Sequence, residues 1–210
     1  MMNRRTFLKW MLIATGIVAF GSVVAEADAG SDAPASEHAA KEKTGEDTMN
    51  IAVVYYSWGG NTRFAAETIA RKVNGDLYEI QPETPYPSDY RTCCDEAKSE
   101  CYGKKLRPIK PTEGLDLAKY DIVFVGTPNW YGTMAPPVRT WVTQSKKALA
   151  GKKVCLFQTN GGGGMQRVGK EFSEILDGEA MVLTPKAFGG SSIRSKVAEL
   201  EGFVTESIRK

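Results

Sequence analysis

Ser57-Trp58-Gly59-Gly60-Asn61-Thr62 separates an apolar run, residues 51–56 (IAVVYY), from a helical pattern that starts near Thr62. Strand, small-residue loop, helix start: this order lines up backbone N–H groups at a helix N-terminus. Ser57, Asn61 and Thr62 add side-chain hydrogen-bonding groups, and such an array holds a phosphate. Gly59 and Gly60 let the backbone turn tightly and approach an anion with no Cβ in the way. No Lys or Arg lies inside the loop, so neither GxxxxGK[ST] nor GxGxxG is met. A phosphate monoester held by neutral donors fits these residue types. A plain strand-to-helix turn with Ser and Asn as caps is the alternative.

Outward from the loop, hydrophobic periodicity divides the chain into alternating strands and helices. Residues 49–56 read as a buried strand and 62–73 as a helix, with Phe64, Ala65, Ile69, Ala70 and Val73 on one face and Asn74-Gly75 as its stop. Residues 76–81 read as a short second strand. Pro82, Pro85 and Pro87 then impose an extended segment before a charged helix over 90–103. Residues 106–117 read as an irregular connection. Residues 121–126 are the clearest buried strand, followed by a loop (127–134) and a helix (136–148). The pattern repeats as strand 153–157, loop 158–164 and helix 165–176, then strand 180–183, loop 184–192 and helix 193–208. Five apolar strands alternating with helices imply right-handed crossovers and a parallel sheet, an α/β fold in three layers, α/β/α. In such a sheet a ligand lies beyond the carboxyl ends of the strands.

Two further loops should meet the first at that edge. Thr127-Pro128-Asn129-Trp130-Tyr131-Gly132 carries two adjacent aromatics, suited to stacking on a flat heteroaromatic ring, and a glycine where the backbone can adapt. Thr159-Asn160-Gly161-Gly162-Gly163 continues into Gly164, and four glycines in a row suggest close backbone approach to a ligand.

The chain of 210 residues suits one domain with extensions. Asn3-Arg4-Arg5-Thr6-Phe7-Leu8-Lys9, the apolar stretch 10–24 and Ala25-Glu26-Ala27 have the basic, apolar and cleavage-site regions of a secretory signal over residues 1–27. The paired arginines resemble the twin-arginine export class. The expected location is therefore the periplasm or another exported site, with an uncleaved membrane tether as the alternative. After cleavage no stable membrane span is expected. Residues 28–48, rich in Ala, Asp, Glu, Lys, Ser and Gly, read as a disordered tether, leaving residues 49–210 as the folded domain. Leaving out residues 1–27 removes Arg4, Arg5, Lys9 and Glu26 from 27 basic and 25 acidic residues, so the remainder is formally neutral. Nucleic acid is accordingly not an expected partner.

The only histidine, His38, lies in the tether, which leaves the domain no histidine-based triad and no histidine-ligated metal. No catalytic side chain and no metal site are assigned. Cys155 sits in an apolar run and reads as a core thiol. A Cys94–Cys101 or Cys93–Cys101 disulfide requires that their segment be a loop, since on a straight helix the pairs are too far apart.

Taken together, SxxGNT after the first strand, PYPxDY (85–90), YD–strand–GTPxWYG followed by MxPPVRTW (134–141), GK (151–152) and TxGG (159–162) resemble a flavodoxin-like subfamily over residues 49–210. The resemblance implies strand order 2-1-3-4-5 and non-covalent flavin mononucleotide (FMN). It implies that Ser57, Gly59, Gly60, Asn61 and Thr62 hold the phosphate and that Thr127–Gly132 frame the ring, with Trp130 as the stacking partner. Thr159–Gly163 would approach the pyrimidine end. Familiar flavodoxins place a second aromatic in this last loop. None is present here, so one ring face is left open, or is covered by Trp58 or a partner chain. The function so implied is electron transfer outside the cytoplasm to a redox partner protein or a small quinone-like acceptor. Two alternatives stand beside it: an FMN-dependent NAD(P)H:quinone-type reductase, and a flavin-free binding module.

Overall fold

The computed structural model describes residues 49–209. The expected leader (1–27) with its twin-arginine pattern, the tether (28–48) and His38 lie outside the described residues. From residue 51 onward the elements are β1 (Ile51–Tyr55), α1 (Asn61–Val73), β2 (Asp76–Glu79), α2 (Tyr90–Tyr102), β3 (Ile122–Trp130), β4 (Thr133–Met134), α3 (Pro136–Ser145), β5 (Lys153–Asn160), α4 (Val168–Leu176), β6 (Met181–Val182), β7 (Lys186–Gly189) and α5 (Val197–Ile208).

The sheet runs β2-β1-β3-β5-β6, all parallel, with β4 antiparallel to β3 and β7 parallel to β5. With β6 and β7 as two pieces of the last strand, this is the expected order 2-1-3-4-5. β1 is buried along its whole length, as a strand covered on both faces must be. Alternate residues feed two cores. Val54, Val123, Val125 and Leu156 pack under α2, α3 and α4, while Val53, Phe124, Cys155 and Phe157 pack under α1 and α5. Burying a phenylalanine such as Phe124 or Phe157 contributes about 1.5–3 kcal/mol.

Several boundaries differ from the sequence expectation, each for a local reason. Residues 127–134 are not a loop: β3 continues to Trp130 and folds back into β4, pairing Asn129 with Met134 and Trp130 with Thr133. The turn between them is Tyr131-Gly132, both at positive φ (52° and 81°), the geometry that closes a two-residue hairpin. The last strand is interrupted at Thr184-Pro185, where proline has no N–H to donate. It resumes as β7 in a segment expected to be loop. α3 stops at Ser145 and α4 begins at Val168, both shorter than expected. Gly190–Ser195 is a 3-10 turn ahead of α5. α2 is a continuous helix, capped by the Asp89 carboxylate on the Thr92 N–H, 2.9 Å. Its three cysteines therefore form no disulfide, and neither does Cys155.

Candidate functional site

The parallel sheet delivers three chain segments to one edge. β1 ends at the first loop, whose Ser57 Oγ accepts the Gly60 N–H at 3.0 Å. Gly60 takes φ 84° and leads into α1, whose N-terminus has, among the described residues, no side-chain cap, and whose first turn holds no acidic residue. Its leading N–H groups, on the positive end of the helix, are thus left for an anion. A Cβ built on Gly59 or Gly60 would meet nothing within 4 Å, so this backbone borders open space. The guanidinium of Arg63, the residue that follows the loop, is held at 2.6 and 2.9 Å by the two oxygens of Glu79. The loop remains, in effect, a site of neutral donors.

Thr62 is buried, and its hydroxyl lies 2.8 Å from that of Thr159 at the end of β5. Either group can donate in this pair. When Thr159 donates, the Thr62 proton is free to point at an anion above α1. Asn61 rests against the turn at Gly190, where a Cβ would come within 3.0 Å of its amide nitrogen. The third loop is also ordered by its own side chain. Asn160 Oδ1 accepts from the N–H groups of Gly162 (2.8 Å) and Gly164 (3.2 Å), while its Nδ2 donates to Phe188 O at 3.0 Å. Gly161, Gly162 and Gly163 remain exposed.

The second segment, now a hairpin, is fastened to the third loop. Asn129 accepts from the Gly132 N–H at 2.9 Å and donates to Gly164 O at 3.0 Å and to Gln166 Oε1 at 3.1 Å. The Gln166 amide fills the space between Gly132 and Gly163; a Cβ on either would lie within about 3.1 Å of it. Thr127 is not at the open edge. Its buried hydroxyl accepts from Ala135 N–H at 3.1 Å and donates to Pro128 O, so it serves the start of α3. Pro128 is half-buried on β3, in register with Thr159. Gln158 is fully buried and donates to Gly164 O, while its Oε1 has no partner among the described residues.

Trp130 is half-buried and meets Tyr56 and Tyr86 edge-on, with ring centroids at 5.8 and 4.9 Å. It shares a cleft of about 230 Å³ with Trp58, Tyr90, Cys93, Cys94 and Tyr131. Trp58 donates from Nε1 to Pro87 O at 3.0 Å and packs against Tyr90. The Tyr131 hydroxyl donates to Cys94 O at 2.9 Å. Burial, and next the neighbouring Cys94, pushes the Cys93 thiol up to about 11. Burial also raises the phenols of Tyr56 and Tyr86 well above their ordinary value. These side chains are therefore neutral walls at physiological pH. Among the described residues no cluster of three or more His, Cys, Asp or Glu could hold a metal ion.

Sequence reasoning singled out the three loops but missed Tyr56, Tyr86, Tyr90, Gln158 and Gln166. Tyr86 and Tyr90 lie in the PYPxDY motif, which was the available signal. Nothing in the sequence marks the two glutamines.

A match to the flavodoxin family covers residues 50–201. The chain belongs to that family. Among solved structures, this family member is similar to a candidate flavoprotein from Bacteroides eggerthii, with 26% identity over 72% of this chain and 98% of the other and a TM-score of 0.60. It is also similar to a flavoprotein from Lactobacillus acidophilus in complex with FMN, with 27% identity over 70% of this chain and 97% of the other and a TM-score of 0.58. The apo form of the Lactobacillus acidophilus flavoprotein matches at 25% identity, with a TM-score of 0.54 and coverage of 72% and 97%. This flavodoxin-family chain thus shares with them its fold, which carries the three segments to a common edge.

Proposed function

We propose that the chain binds FMN without a covalent bond and carries electrons outside the cytoplasm. The observation that carries this reading is the uncapped, glycine-cradled N-terminus of α1, set at the same sheet edge as the aromatic cleft of Trp58, Tyr90, Trp130 and Tyr131. The FMN complex of the Lactobacillus acidophilus relative supports it. The donor set fits a phosphate monoester. Backbone N–H groups of α1 and the Ser57, Asn61 and Thr62 side chains would hold it by hydrogen bonds and the helix dipole, without a lysine. Gln158 Oε1, buried beside the glycine loop and without a partner among the described residues, leaves one acceptor in want of a donor.

When bound, FMN supplies one- and two-electron redox chemistry. The protein's part is to hold and tune it. Trp130 offers an indole for stacking, and Tyr56 and Tyr86 keep that indole from rotating. Asn129, Asn160 and Gln166 tie the hairpin and the glycine loop into one rigid frame. No side chain is assigned a proton-transfer role. The leader-like residues 1–27 support an exported site of action, and a redox protein or a small quinone-like acceptor is the partner so implied. The exposed glycines 161–163 present no aromatic to the second ring face. That opening favours, as a second reading, a reductase whose acceptor or nicotinamide reaches the ring directly.

An absorbance spectrum of purified protein during anaerobic stepwise reduction tests both. Two resolved one-electron steps are expected for the carrier, and one two-electron step for the reductase. A colourless protein that takes up no added FMN refutes both and leaves the flavin-free module.

A further inference from the structure

Arg107 lies in none of the three loops, and no motif marks it. It sits in the connection after α2, with its side chain only 6% exposed. Nε and Nη2 donate to Thr84 O at 3.1 and 2.7 Å, and Nη1 donates to Glu96 Oε1 at 2.6 Å and Glu100 Oε1 at 2.9 Å. The guanidinium carbon stands 3.6 Å over the centre of the Tyr86 ring. The Tyr86 hydroxyl donates to Glu100 as well. One face and the tip of Tyr86 are thus fixed by a single charged cluster. The Tyr86 ring then meets Trp130 at 85°, and Tyr56 meets it at 89°.

We propose that Arg107 is the positioning residue for Trp130, acting through Tyr86, and so sets the angle at which the indole faces the flavin ring. For its effect on the flavin this rests on the FMN reading above. Its effect on the indole does not. An ion cluster around a buried guanidinium is a poor source of net stability, since apolar side chains of similar volume often serve as well. What only a planar guanidinium offers here is a flat face for Tyr86 and a fixed fork for Thr84, Glu96 and Glu100. Lysine would supply the charge without either. Tyr86, braced in this way, presents an unchanging edge to Trp130 instead of rocking about its own bond.

The role is separable from a general clamp on residues 82–87. Near-ultraviolet circular dichroism of the full-length protein without flavin, taken as the difference from the Trp130→Ala variant, isolates the signal that depends on Trp130. In Arg107→Met that Trp130-dependent part of the aromatic band should shrink. Dissociation constants for FMN and riboflavin should rise alike, by roughly three- to tenfold, the value of one well-oriented aromatic pair. In a Trp130→Ala background the same change should add nothing to either constant. An unaltered Trp130-dependent part in Arg107→Met overturns the proposal. So does a loss of binding of equal size in the Trp130→Ala background, which would make Arg107 a structural clamp. Should Arg107→Met not fold, Tyr86→Leu removes the intermediary ring, leaves the ion pairs, and must give the same pattern. If the wild-type protein binds no flavin, the flavin reading falls while the dichroism still decides the positioning.

Discussion

Replacing Thr62 by Val removes one hydroxyl at nearly constant volume and shape. Thr62 is 1% exposed, and its Oγ1 lies 2.8 Å from Thr159 Oγ1. Two effects should follow. The Thr159 hydroxyl loses its partner in a buried place, a cost of about 1–3 kcal/mol. For a chain of this size that lowers Tm by about 2–4 °C per kcal/mol. Separately, a hydrogen bond to a charged phosphate contributes about 1.5–3 kcal/mol, so FMN affinity should fall by roughly 10- to 150-fold. Riboflavin lacks the phosphate, and its affinity should change less than about threefold. Thr159→Val is the control. It breaks the same hydroxyl pair and should cost similar stability, yet it keeps the Thr62 hydroxyl and with it the preference for FMN. Fluorescence-quenching titrations with both flavins, beside thermal melts of the flavin-free proteins, separate the two effects. Equal losses of FMN and riboflavin in Thr62→Val would refute the phosphate role, as would a selective FMN loss of the same size in Thr159→Val.

Three further outcomes follow from the packing. Arg139→Met should cost about 3–5 kcal/mol, because it strands the Glu171 carboxylate, now 2.6 Å from Arg139 with side chains 4% and 12% exposed; urea unfolding measures it. Arg139 also donates to Thr133 Oγ1 and Met134 O, and Glu171 accepts the Met134 N–H, so the β3–β4 hairpin should loosen in the same variant. Gly126→Ala should destabilise by about 1–3 kcal/mol, since the added Cβ would lie 2.7 Å from Phe157 Cε2 and 2.9 Å from Tyr55 Cβ in a filled core. Cys93, 4% exposed with its thiol pushed up to about 11, should resist iodoacetamide at pH 8. The half-exposed Cys94 should label, and the order is read by peptide mass spectrometry.

The alternation of short apolar strands with helices was legible because each central strand is buried on both faces, so its hydrophobic run is continuous and unmistakable. The first loop was legible for a related reason. Its Gly-Gly-Asn-Thr follows a buried strand directly, and no other residues make that turn as readily. The order of the strands was not in the spacing and came only with the family resemblance. The hairpin over residues 122–134 was missed because Tyr131 at positive φ is not a residue that announces such a turn. The aromatic bracing of Trp130 was missed because Tyr56, Tyr86 and Trp130 are far apart along the chain and meet only once β1 and β3 pair.

Local residue chemistry therefore determined the class of fold, the glycine cradle and the types of side chain at the edge. These depend on interactions within a turn or a strand, which the sequence states outright. Tertiary structure alone decided that the Thr62 hydroxyl meets Thr159, that Asn129 ties the hairpin to the glycine loop, and that Arg107 stands over Tyr86. Each of these joins residues at least 21 positions apart. Their contact exists only after the sheet has brought the strand ends together, and no local propensity encodes it.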